Sequence, residues 1–159
     1  MESRQSRHII CAVRGGPESR ETVTWAIALA LESGAQLTLF RVLDAEFLGH
    51  ATIGPLSVVY RELIEVGQFA MLILCDRAQR RGVENVDCVV REGNVRKQLR
   101  EFAIETHADL LVMGRPVRSP GSNTFKPAEF DSWVAELEKE SGLRVLVVSP
   151  SQDTENRGG

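Results

Sequence analysis

Five short apolar runs, separated by segments whose apolar residues recur at helical spacing, limit the folds open to this chain more than any other feature. The runs are residues 8–13, 36–43, 85–90, 110–113 and 143–148. The run at 8–13 is nearly continuous, as expected of a strand covered on both faces, and residues 36–43 alternate before running apolar. The resulting order β-α-β-α-β-α-β-α-β builds a parallel sheet with helices on both sides. The expectation is therefore a doubly wound, Rossmann-like α/β fold with a five-stranded parallel sheet.

The intervening segments set the helices. Val23, Ala26, Ile27, Ala30 and Leu31 fall on one stripe from about Pro17 to Ser33, with Gly34 as the stop. A long helix is expected over residues 56–81, with Val59, Leu63, Val66, Ala70, Ile73 and Arg77 on one face and Gly82 at its end. Apolar residues extend round it at Phe69–Leu74, the pattern of a helix that buries two faces. Asn94 is placed to cap a helix in which Val95, Leu99, Phe102, Ala103 and Thr106 face inward. Phe130, Trp133, Val134 and Leu137 define a last helix over Pro127–Ser141, with proline in its first turn. Both tryptophans, Trp25 and Trp133, are read as core.

At 159 residues the chain is sized for one domain, expected over residues 8–149 with tails at 1–7 and 150–159. A net charge of −3 gives no reason to propose nucleic acid as a partner. No apolar run approaches the roughly 18 residues of a membrane span, and no signal peptide is visible, so the expected location is cytoplasmic. Cys11, Cys75 and Cys88 form no CxxC unit and are read as small buried hydrophobes in a reducing compartment. His8, His50 and His107 are too scattered to suggest a metal site.

The stretch ADLLVMGRPVRSPGS, residues 108–122, is where chemistry is expected. It is a buried strand ended by a glycine and followed by a basic loop, and open α/β sheets bind ligands where such loops leave the strands. HIICAVRGGPES, LTLFRVLD, VVREGN, ADLLVMG and RVLVVSP, taken together, make the chain resemble the universal stress protein family over nearly its whole length. That resemblance implies a five-stranded parallel sheet and homodimers paired through the last strand, here Leu143 to Val148. Independently, an apolar edge strand invites pairing.

The family also implies two classes, one of which binds ATP. ATP-binding members carry an aspartate after the first strand and a G-x2-G-x9-G-[S/T] pattern from the fourth strand into the last helix. By position the aspartate falls on Arg14, the glycines on Gly114, Val117 and Pro127, and the hydroxyl residue on Ala128. Only Gly114 matches. Arg14 donates where an acceptor is needed, Val117 adds a Cβ, and Pro127 removes an N–H from a helix N-terminus that would face phosphate. ATP held in the usual family manner is not expected, and the favoured function is a dimeric, non-enzymatic binding or regulatory module in the stress response.

An alternative is a nucleotide-binding member, for ATP or AMP, with a remodelled loop. Adenine would then lie near Ala12, Val42 and Met113, with Arg14, Gly114, Arg115, Arg118, Gly121, Ser122 and Lys126 available for a small anionic ligand. RGGPES also looks somewhat like the SGGxDS loop of adenylating PP-loop pyrophosphatases, which leaves a small adenylating or hydrolysing enzyme as a third reading. No GxSxG elbow is present.

Overall fold

A computed structural model of the chain describes residues 8–14, 18–44, 56–115 and 127–149. The expected tails, the Ala45–Pro55 loop and most of the basic loop therefore lie outside the described residues. Among the described residues nine elements alternate as expected: β1 (His8–Ala12), α1 (Glu18–Ser33), β2 (Gln36–Asp44), α2 (Leu56–Arg80), β3 (Val86–Gly93), α3 (Val95–Thr106), β4 (Leu110–Gly114), α4 (Pro127–Ser141) and β5 (Arg144–Val148). The sheet is wholly parallel in the order β3-β2-β1-β4-β5. The doubly wound fold is thus present, and β3 runs three residues further than its apolar run suggested.

Alternation along the strands divides the core into two layers. Ile9, Cys11, Leu37, Leu39 and Val112 face α1 and α2, where Val23, Ala26, Ile27, Ala30, Met71, Cys75 and Ala78 meet them. Ile10, Ala12, Phe40, Leu111 and Met113 face α3 and α4, against Leu99, Phe102, Phe130, Trp133 and Leu137. Local chemistry ends the helices: Asn94 Oδ1 accepts from Lys97 N at 3.1 Å, and Gly34, Gly82 and Gly142 follow helix ends at positive φ.

Four expectations about packing require correction. The inward face of α2 is set by Met71, Cys75 and Ala78, whereas Val66, Ala70 and Ile73 are exposed. Phe69, Leu72 and Ile73 face outward, so among the described side chains this stretch buries no second face of α2, while the side chains of Val59 and Leu63 lie outside those described. Apolar residues surround the helix, and composition alone did not reveal which stripe meets the sheet. Trp25 is half exposed, as is Leu31, because α1 buries the 22-23-26-27-30 stripe and these two flank it; Trp133 is core as read. Cys75 and Cys88 are not separate thiols. They form a disulfide that ties α2 to β3, with Cα atoms 6.4 Å apart, because β3 turns Cys88 toward the helix that passes above it. Cys11 is a buried free thiol, and burial pushes its pKa up to about 12.

At the amino end of the sheet, His8 donates its backbone N–H to Asp109 Oδ2 at 2.9 Å, and its Nε2 lies 2.8 Å from Thr38 Oγ1. Burial lowers the imidazole pKa, opposed by a backbone contact with Thr106 and by Asp109 and Asp87. The folded chain therefore takes up this proton less readily than the unfolded chain. Stability is complete above the ordinary histidine value of about 6.5 and declines as pH falls through the lowered folded value. Thermal unfolding followed from pH 8 to pH 5 should show that decline, and His8→Gln should flatten it; an unchanged slope in the variant would contradict the assignment.

Candidate functional site

The strand order reverses between β1 and β4, and doubly wound sheets take ligands in the crevice outside the carboxyl ends of such a pair. Ala12 ends β1 and Met113-Gly114 ends β4. Ala12 is in register with Phe40, and the β1–β4 register sets it beside Met113. Ala12, Val42 and Met113 accordingly share the α3/α4 face around Phe40. Their accessibility differs: Ala12 is 8% and Met113 2% exposed, whereas Val42 is half-buried. Ala12 and Met113 are thus part of the core, and Val42 lies at its margin.

Gly114 faces the opposite layer. A Cβ there would stand 3.0 Å from Thr22 Oγ1 and 4.0 Å from the Val148 carbonyl. Thr22 is itself buried, so close packing of α1 on β4 is enough to require glycine. The next amide is engaged as well, since Arg115 N donates to Val148 O at 2.9 Å. Its guanidinium folds back onto α4, 5.6 Å above the Phe130 ring, with Nη1 3.6 Å from Asp131 Oδ1. Arg14 is exposed beyond β1 and has interactions of its own. Arg118, Gly121, Ser122 and Lys126, with Val117, lie outside the described residues. Pro127 opens α4 as expected, and with it goes one N–H donor of the first turn.

Two side-chain placements escape a reading of the sequence. The guanidinium of Arg41, near the carboxyl end of β2, occupies the space a side chain on Gly67 of α2 would need, with Nη1 2.8 Å from the Cβ position. A glycine inside a helical pattern is the signal that could have found it. Arg91 ends its side chain over Phe102, 4.8 Å from the ring centroid, and is held by Glu105 at 2.9 Å. The bond to Glu105 raises the Arg91 pKa, and Arg91 lowers that of Glu105 in return. An open groove of about 430 Å³ between α3 and α4 has Arg96, Lys97 and Arg100 along one wall. Arg96 and Arg100 pair with Glu129 and Glu140 of α4 at 3.1 and 3.3 Å, so much of its positive charge is answered within the chain.

The universal stress protein family model matches residues 5–125. The chain belongs to that family. Universal stress protein UspA from Lactobacillus plantarum is similar in fold, with 21% identity and a TM-score of 0.67, covering 92% of this chain and 99% of that one. A universal stress protein in complex with cAMP matches with 23% identity and a TM-score of 0.64 over 92% and 99% of the two chains. A universal stress family protein from Burkholderia pseudomallei matches with 21% identity and a TM-score of 0.61 over 92% and 98%. No curated protein sequence matches the chain. The Gly114–Thr22 packing gives that glycine a structural use. Among the described residues no helix is long and apolar enough to cross a membrane, and no group of three or more His, Cys, Asp and Glu gathers as a metal site would need.

Proposed function

We propose that this chain is a dimeric binding and regulatory module of the universal stress type that catalyses no reaction and does not hold ATP in the family's usual manner. The observation that carries this reading is the state of Arg115. Its amide is committed to Val148 and its guanidinium to Phe130 and Asp131, where the family's phosphate-binding pattern leaves the fourth strand. A phosphate cradle needs backbone N–H groups without partners. Arg14 in place of the aspartate, and Pro127 and Ala128 in place of the Gly-[S/T] pair, support it.

A second reading, a nucleotide-binding member with a remodelled loop, is favoured by the structural relative in complex with cAMP. A single phosphate demands fewer donors than three, and Arg115 is positioned to exchange Asp131 for it. Equilibrium dialysis with ATP, AMP and cAMP separates the two. The expected result is no saturation by ATP below about 1 mM, against the micromolar values of a built nucleotide site. Saturation by AMP or cAMP that is weakened by Arg115→Ala would select the second reading. Turnover of any nucleotide in the same samples would select the adenylating or hydrolysing alternative.

The dimer is proposed through β5. Among the described residues that strand pairs with β4 alone, and Val145, Leu146 and Val147 stay half-buried; an apolar edge of this kind is normally paired or covered. Light scattering at micromolar concentration is expected to give at least twice the chain mass, and a monomer would overturn the proposal.

A further inference from the structure

The outer face of α2, opposite its contact with the sheet, is apolar. Val66, Phe69, Leu72 and Ile73 are each more than half exposed, Phe69 at 65%. Glu62, Val66, Phe69, Ile73, Asp76 and Arg80 follow one another at alternating intervals of four and three residues, the spacing of the contact stripe of a two-helix coil. Opposite that stripe lie Met71, Cys75 and Ala78 in the core, so the stripe points straight away from the sheet. The disulfide to Cys88 fastens the core side of the same helix.

We propose that this face of α2 packs against the same face of a second copy as an antiparallel, two-fold helix pair. Charge along the stripe selects that arrangement. Acidic Glu62 stands at its amino end and basic Arg80 at its carboxyl end, so a parallel pair would set like charges together. In the antiparallel register that sets Phe69 against Ile73 of the other copy, Glu62 meets Arg80 and Val66 meets Asp76, twice over by symmetry. Arg80 already bonds Asp76 within its own helix at 2.8 Å, which leaves that acid neutralised beside the apolar centre. Leu72 flanks the centre next to the two-fold axis.

This surface is separate from the proposed β5 pairing. α2 covers β3 and β2, at the opposite edge of the sheet from β5. Two different two-fold contacts on one chain build a closed tetramer or an open string. Sedimentation velocity over a range of concentrations tests the α2 contact. Phe69→Glu with Ile73→Glu should weaken one association step by more than about tenfold, because each charge would have to be buried without a partner. Glu62→Arg alone and Arg80→Glu alone should each weaken the same step, whereas an equimolar mixture of these two variants should restore it, since only the mixed pair places opposite charges at both ends. An assembly state unchanged by Phe69→Glu/Ile73→Glu would overturn the contact, as would a wild-type chain with no α2-dependent step at any concentration. Failure of the mixture to recover would overturn the antiparallel register. Loss of the β5 step with the α2 step retained would count against the functional reading and leave this one standing.

Discussion

Phe40→Ala is expected to destabilise the chain by about 3–5 kcal/mol, the range for removing a large aromatic from a packed core. Phe40 is 1% exposed in the middle of β2. Its ring stacks on Phe102 of α3 with centroids 4.4 Å apart and planes 12° from parallel. Arg91 lies across both rings. Alanine would leave a cavity between strand and helix that neither can close, because β2 is paired on both sides, with β1 and β3. Urea denaturation followed by circular dichroism measures the effect as a lower midpoint at constant slope. Arg91→Ala is the informative companion. Its ion pair with Glu105 is exposed, so its loss should cost less than about 1 kcal/mol. A comparable cost for both variants would mean that the cation, and not the stacked rings, organises this end of the core.

Reduction of the Cys75–Cys88 disulfide is the second large effect. The bond joins residues 13 apart, and a loop of that size restricts the unfolded chain by about 3 kcal/mol in the chain-entropy account. For a chain of this length that is a fall in melting temperature of about 6–12 °C. Thiol labelling gives an independent check. The folded, oxidised protein should present no reactive thiol, because Cys11 is buried with its pKa near 12 and only a thiolate reacts. Unfolding without reductant should expose one thiol, and unfolding with reductant three. Labelling of three thiols on unfolding without reductant would exclude the bond, and an unchanged melting temperature on reduction would show that the native contacts of α2 hold without it.

The fold was legible because each strand is short, apolar and bounded by a turn signal, as in ADLLVMG, and each helix on the α3/α4 side has one clean apolar stripe. Phe130, Trp133 and Leu137 could face only one way. α2 was not legible in the same manner. Met71, Cys75 and Ala78 are no more apolar than Val66, Phe69 and Ile73, so periodicity identified a helix without identifying its buried side. The disulfide was hidden for a related reason: Cys75 and Cys88 belong to different elements, and only the crossing of α2 over β3 brings them together. At the candidate site, Ala12, Val42 and Met113 fell on one face as the strand alternation required. What the sequence could not carry was occupancy of the strand end by the chain itself. Thr22 filling the space beside Gly114, and Val148 accepting from Arg115, are contacts between residues 92 and 33 positions apart.

The place of β1 in the sheet also bears on the order in which the molecule can assemble. β1 lies at the centre, yet one of its two neighbours, β4, is synthesised about a hundred residues later; the His8–Asp109 bond spans 101 positions. β1, α1 and β2 can condense through local contacts, while closing the β1–β4 seam must overcome the entropy of a long loop. At ribosomal rates of about 5–20 residues per second, the central strand therefore waits about 5–20 seconds with one edge unpaired. During that interval a strand built for the middle of a sheet behaves as an exposed edge. The β1–β4 seam is thus the step at which a nascent copy is most open to pairing with the wrong neighbour.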